Sequence, residues 1–241
     1  MRNYNLFLKT TEFQITQMFN TFESKKNLVY LIAIQKRNGE EKKCVLKDYI
    51  TFKNSNMKEA YILKTLKEKK ITVPQIYYQA DDFIIMEYIR GNTLLDTMEA
   101  NEEKQAGNFD TADNTHMLYE VLKWMNDFYH LSKKLLGKRM ILEDVNFRNF
   151  IITDRVYGID FEDCKIGDRE RDGGRFCAYL LTYNPAFTEW KIKLCRLAIK
   201  IMTEDFYYDR KEIIECLRQE LLAIRDRRKI FIPPEMIKDI V

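Results

Sequence analysis

The chain of 241 residues is 46% hydrophobic and 13% aromatic, which suffices for a buried core in one large domain or two small lobes and excludes a disordered or fibrous class. Forty basic residues stand against 37 acidic ones, and a net charge of +3 gives no reason to expect a nucleic-acid partner. Five scattered cysteines without a C-x-x-C pair, and only two histidines, argue against a disulfide framework or a zinc site and for reduced thiols packed in a cytoplasmic protein.

At the N-terminus, MRNYNLFLKTTEF has no apolar signal-peptide core. No stretch approaches the roughly 20 apolar residues of a membrane span, so no membrane partner is expected. The first strong elements are NLVYLIAIQ (27–35) and KKCVLKDYI (42–50), strand-like runs rich in β-branched and aromatic residues and joined by the turn signal Asn38-Gly39. Lys47 falls on the second of these strands. NSNMKEAYILKTLKEKK then offers Asn54 and Ser55 as capping residues and sets Ala60, Leu63 and Leu66 at helical spacing. That helix stops before Val73-Pro74, because the residue preceding proline disfavours helix. QIYYQA and FIIMEYI read as two more strands, turned by Asp81-Asp82 and closed by Gly91. These elements predict a small sheet with one helix against it.

Residues 99–114, EANEEKQAGNFDTADN, are polar and read as a linker or mobile loop. After them HMLYEVLKWMNDFYHLSKKLL carries Leu118, Val121, Leu122, Met125, Phe128 and Leu135 on one helical stripe. FIIT and VYGID, joined by Asp154-Arg155, predict a short hairpin. Amphipathic segments near 176–183, 187–206 and 209–228 predict a helical C-terminal half. The stripes around Trp124 and Trp190 read as core.

Four separated segments carry chemistry. Asp144-Val-Asn-Phe-Arg-Asn149 has the D-x-x-x-x-N spacing of a kinase catalytic loop, and Asp160-Phe161-Glu162 stands in the place of a magnesium-binding D-F-G. Upstream, Val45-Leu46-Lys47 matches a V-A-I-K lysine strand, and Glu59 follows on a helix, with Glu68 as the alternative partner. Phosphoryl transfer needs little covalent help, so its catalysts supply position and charge neutralisation. A lysine gives a fixed cation for the α- and β-phosphates, and a helix glutamate holds it. Magnesium takes oxygen ligands and keeps several waters, so Asp160 and Asn149 suffice as protein ligands. Asp144 remains to accept or orient the proton of an attacking hydroxyl. Singly, Lys47 reads as an edge lysine and Asp144, Asn149 and Asp160 as turn residues; it is their order that favours a site.

In these segments the chain resembles the protein-kinase-like superfamily, in its small atypical branch of aminoglycoside and choline phosphotransferases and RIO-type kinases. The resemblance spans roughly residues 25–185. It includes KEAYILKTLKEKKITVPQIYYQADDFIIMEYIRGNTLLD and the I-D-F-E-D run of GIDFEDCKIGDRERD. It implies an α+β, bilobal protein-kinase-like fold: a small N-terminal antiparallel sheet lobe with one helix (1–90) and a larger, mainly helical C-terminal lobe (91–241), with ATP and Mg2+ between them. It implies that adenine bonds the hinge backbone near Glu87, Tyr88 and Ile89, that Asp172 braces the catalytic loop, and that Glu162 adds a carboxylate to the metal shell. Arg148 then offsets charge on the transferred phosphoryl group.

The chain departs from the family pattern in three places, one of them Glu162 in the position of the D-F-G glycine. No G-x-G-x-x-G is present, and FNTFESKKN (19–27) takes the phosphate-covering position; Leu142-Glu143 replaces the H-R or H-G before the catalytic Asp. The reading is an ATP-dependent phosphotransferase acting on a hydroxyl. A small-molecule acceptor is favoured over a protein or saccharide, because no long activation segment with A-P-E appears. The rival is a pseudokinase, a nucleotide-binding or interaction module without turnover. An RNA-associated domain is a third reading that a net charge of +3 does not predict, and the basic IRDRRKI (224–230) reads as the ordinary complement of a helix dipole rather than as a nucleic-acid patch.

Overall fold

The computed structural model describes residues 4, 12–22, 24, 26–50, 55–105 and 109–234. The chain divides into two compact units, residues 1–90 with 159–162, and residues 91–158 with 163–241.

The first unit is built on a five-stranded antiparallel sheet in the order β1-β2-β3-β5-β4. Its strands are β1 (Phe13–Phe22), β2 (Leu28–Lys36), β3 (Glu41–Asp48), β4 (Ile76–Gln79) and β5 (Phe83–Glu87), with α1 (Ser55–Glu68) between β3 and β4. The turn between β2 and β3 falls on Asn38-Gly39, and Gly39 has φ +84°, a region that glycine enters without a Cβ penalty. Alternate residues point to one core: Ile32 and Ile34 from β2, Cys44 and Leu46 from β3, Phe83 and Ile85 from β5, closed by Tyr4. Helix α1 buries Ala60, Ile62, Leu63 and Leu66, as its spacing predicts. The capping residue Asn54 and the side chain of Ser55 lie outside the described residues.

Strand β1 is concealed in the sequence. Its register on β2 shifts between Ile15 and Gln17 and again between Met18 and Thr21, and each irregularity breaks the alternation by which a strand is recognised. Of the segment expected to cover the phosphates, residues 19–22 form the end of this strand, and residues 23 and 25 lie outside the described ones.

In the second unit the elements follow as β6 (Asn92–Thr93), α2 (Leu94–Lys104), α3 (Thr111–Leu136), β7 (Met140–Ile141), β8 (Phe150–Ile152), β9 (Val156–Gly158), β10 (Lys165–Ile166), α4 (Arg169–Thr182), α5 (Glu189–Glu204) and α6 (Arg210–Arg228). The expected hairpin is β8–β9, extended by β6 into a three-stranded antiparallel sheet. The expected linker at 99–114 is overturned, because residues 99–104 end α2 and residues 111–114 begin α3. Residues 106–108 of it lie outside the described ones. Helix α2 is nucleated by a capping box: Asp96 N–H donates to Thr93 Oγ1 at 3.1 Å, and Asp96 Oδ2 accepts from Thr93 N–H at 3.0 Å. Its buried residues Leu94, Leu95 and Met98 all lie in the N-terminal half, so the polar remainder looks like loop by composition.

Helix α4 starts at Arg169 rather than near 176 because its first turns are polar and contain Gly173-Gly174. A Cβ on Gly174 would meet Cys216 Cβ and the Leu217 backbone nitrogen at 2.5 Å each, so glycine here allows α4 to lie against α6. The architecture is therefore α+β, an antiparallel sheet with one helix followed by a mainly helical part. All five cysteines are free thiols. Among the described residues no helix is long and apolar enough to cross a membrane.

Gly174→Val tests the α4–α6 contact. Because backbone lies opposite, we expect a loss on the order of 3 kcal/mol in urea unfolding. An unchanged midpoint would show that the contact yields.

Candidate active site

Strand β3 presents Lys47 on the face opposite Leu46, where the residue is only 4% exposed. Its ammonium donates to Glu59 Oε2 at 2.7 Å and to Asp160 Oδ1 at 2.6 Å, and Glu162 Oε2 lies 3.4 Å away. Glu59 reaches it from the buried face of α1, whereas Glu68 is exposed at the helix end. Both oxygens of Glu59 are used: Tyr49 Oη donates to Oε2 at 2.6 Å and the Phe161 N–H donates to Oε1 at 3.3 Å. Burial alone would lower the pKa of Lys47, but Glu59, Asp160 and Glu162 outweigh it and hold the ammonium above its ordinary value. Burial pushes the Glu59 carboxyl up, against the pull of Lys47.

Asp160 adopts φ +64°, a left-handed conformation that aspartate tolerates better than most residues. Glu162 is fixed from three sides: Asn27 Nδ2 donates to its Oε2 at 2.6 Å, Lys26 Nζ lies 3.5 Å from its Oε1, and Lys58 Nζ donates to its carbonyl at 2.8 Å. Carboxylate oxygens of Glu59, Asp160 and Glu162 lie within 4.8 Å of one another. Three carboxylates around one ammonium leave excess negative charge on hard oxygen donors, a donor set that fits Mg2+.

The loop of Asp144, Arg148 and Asn149 belongs to the second unit. A short 3-10 turn at Phe147–Asn149 is started by Asn146, whose Oδ1 accepts from Arg148 N–H at 3.0 Å. Asn149 Nδ2 donates to the Asp144 carbonyl at 3.2 Å, and Asp144 Oδ1 accepts from Asn146 N–H at 3.2 Å, so acid and amide are set by one local network. Arg148 points into solvent.

Two residues of α4 hold this loop from behind. Asp172 accepts from the N–H groups of Leu142 at 2.7 Å and Glu143 at 3.2 Å, and from Tyr129 Oη at 2.7 Å. Arg175 donates to the Glu143 carbonyl at 2.9 Å and pairs with its carboxylate at 2.6 Å. Glu143 has φ +66°, so this brace holds a left-handed residue directly before Asp144.

At the expected hinge, Glu87 ends β5 and its N–H is already bound to the Gln75 carbonyl at 2.8 Å. Its carboxylate takes Gln75 N–H at 3.1 Å and Lys67 at 3.2 Å; Tyr88 and Ile89 follow, half-buried, outside regular structure. The structure thus gathers Lys47, Glu59, Asp160 and Glu162 in one cluster and Asp144, Arg148 and Asn149 on one loop.

Sequence reasoning missed Tyr49, Asn27, Glu143 and Arg175. Tyr49 was detectable, since it lies two residues past Lys47 and shares its side of an extended chain. Arg175 lies one helical turn past Asp172. Asn27, bonded to a residue 135 positions away, leaves no local signal.

The solved structure of the aminoglycoside phosphotransferase APH(2'')-IIa, a ternary complex with streptomycin and ATP, is similar over 95% of this chain and 97% of its own. The TM-score is 0.54 and the identity 16%, a likeness of fold. The fold is that of the protein-kinase-like superfamily. A family model of the RIO domain matches residues 10–163, more than half of the chain, and the chain belongs to that family. No curated protein sequence matches it.

Asp172 gives the site a pH signature. Burial pushes its carboxyl up to about 6, although Tyr129, the Leu142 N–H and Arg175 hold it down. The folded value exceeds the ordinary one of 3.8, so this group favours the folded state most at low pH. That contribution fades as pH rises through about 6, a change of about 3 kcal/mol. Asp172→Asn cannot ionise. Between roughly pH 4 and 7, we expect wild type to lose about 3 kcal/mol of unfolding free energy relative to the variant; parallel profiles would contradict this.

Proposed function

We propose that the protein is an ATP- and magnesium-dependent phosphotransferase that moves the γ-phosphoryl group to the hydroxyl of a small molecule. The observation that supports this most is the buried Lys47 ammonium, held by Glu59 and Asp160 at 2.7 and 2.6 Å. A lysine is rarely buried without a reason, and phosphate oxygens are the partners such a preset cation serves.

In this reading Lys47 binds the α- and β-phosphates and Glu59 keeps it aimed. Asp160, Glu162 and Asn149 hold magnesium, which when bound neutralises phosphate charge. The backbone of Glu87, Tyr88 and Ile89 takes the adenine. Asp144 accepts the proton of the acceptor hydroxyl as its oxygen bonds to phosphorus and the bond to the ADP oxygen breaks. Arg148 offsets charge on the group in transit. The small acceptor is supported by the short connection: only residues 161–168 separate Asp160 from α4, which leaves little chain to form a peptide-binding platform. The fold neighbour that holds streptomycin supports it by analogy.

The test is ATP turnover with magnesium and a panel of hydroxyl compounds, for wild type, Asp160→Ala, Asp144→Ala and Lys47→Met. We expect each variant to lose at least about 100-fold in rate. Magnesium-dependent ATP binding that Asp160→Ala abolishes, with no turnover by wild type, would instead identify a pseudokinase.

A further inference from the structure

The loop bearing Asp144 is bordered by α4 and by the C-terminal end of α6, and charges there are unequally matched. Glu143 is taken by Arg175 at 2.6 Å, Lys165 at 2.8 Å and Arg171 at 3.3 Å. Glu220 is taken by Arg175 and Arg227, each at 3.2 Å. Arg225 pairs with Asp226 at 2.9 Å. Of the exposed arginines on this loop and in the last turn of α6, Arg148 and Arg228 have no carboxylate at ion-pair distance among the described residues.

Both belong to one patch. The Arg228 guanidinium lies 5.9 Å from the centroid of the Tyr179 ring, and the Tyr179 and Tyr183 rings are 6.4 Å apart. Tyr183 Oη donates to Asn146 Oδ1 at 3.0 Å and accepts from the N–H of Phe147, the neighbour of Arg148, at 3.1 Å. Burial pushes the Tyr183 phenol up to about 12, while Phe147 N–H, Arg148 and Arg228 pull it down. Burial and then Asp144 push the Tyr179 phenol up. Arg228 therefore lies over the Tyr179 ring, and Tyr183, bonded to Asn146 and Phe147, links that ring to the turn that carries Arg148. A basic last turn is the ordinary complement of a helix dipole, and Arg225 and Arg227 fit that role; Arg228 turns over an aromatic face instead.

Resting on the phosphotransferase reading, we propose that the acceptor carries an anionic group of its own, a phosphate or a carboxylate, which Arg148 and Arg228 hold over Tyr179 and Tyr183. Guanidinium forks match both groups, and two that both act on Tyr183 attract an anion and repel an amine. An amino-sugar acceptor is disfavoured on the same ground.

The test uses the full chain saturated with magnesium and a non-hydrolysable ATP analogue, so that the γ-position is filled. Inorganic phosphate and, separately, acetate are titrated by calorimetry. We expect saturable binding of at least one, weakened at least tenfold in Arg228→Glu and in Arg148→Glu and unchanged in Lys200→Glu. The stronger of the two probes identifies the group. No saturable binding of either, or equal binding in Arg228→Glu, overturns the proposal. Turnover gives a second arm: a hexose phosphate is expected to exceed its hexose in kcat/KM and to lose that advantage in Arg228→Glu, and preference for the amino sugar overturns the proposal. ATP turnover without anion binding overturns this proposal alone. No ATP turnover overturns the phosphotransferase reading, and the anion titration then decides the site by itself.

Discussion

A single buried ammonium organises the first unit. Lys47 joins β3, α1 and the 159–162 segment, three separate pieces of chain, at one point. Burying Glu59 without Lys47 would leave an uncompensated charge, and removing one partner of a buried pair costs about 3–5 kcal/mol. Tyr49 and the Phe161 N–H occupy the remaining lone pairs of Glu59, so its carboxylate has little freedom to turn. Such a cluster is a poor route to stability, because apolar residues of similar volume pack as well. Its arrangement makes better sense as a cation preset for phosphate oxygens, with acids held ready for a metal.

The loop of the second unit solves a different problem. Its backbone must hold Asp144 in place directly after a left-handed residue, Glu143. Helix α4 supplies the support. Asp172 binds two successive N–H groups and Arg175 binds the carbonyl of Glu143, so donors and acceptor of the same turn are fixed from one helix face. Arg175 is itself held by Glu220 of α6, so the tether continues into the C-terminal helix. The close approach of α4 to α6 at Gly174 belongs to the same device.

Much of this was legible in the sequence, for identifiable reasons. β2 and β5 are near-continuous apolar runs rich in β-branched residues, β2 is joined to β3 by the Asn38-Gly39 turn signal, and α3 carries a long apolar stripe, so composition, turn chemistry and helical period find them. The Lys47, Glu59, Asp160 group was legible because order and spacing reinforce one another. What failed was local in cause. β1 is bulged twice, and α2 confines its buried residues to one half; composition then reports loop where the capping box of Thr93 and Asp96 makes helix. Partners such as Asn27 and Glu162 meet only through the fold, and no pattern within either segment could announce them.

The formal net charge illustrates the same limit from another direction. A total of +3 says only that acids and bases nearly balance along the chain. Folding separates them: three carboxylates gather around one ammonium at Lys47, while Arg148 on the Asp144 loop and Arg228 have no carboxylate at ion-pair distance among the described residues. At physiological salt the field of a charge is screened over about 8 Å, so a ligand responds to these local sets and hardly to the total. An acid-rich cluster suits a metal ion, and arginines beside a pair of tyrosines suit an anion. A nearly neutral chain can therefore present two sites of opposite sign.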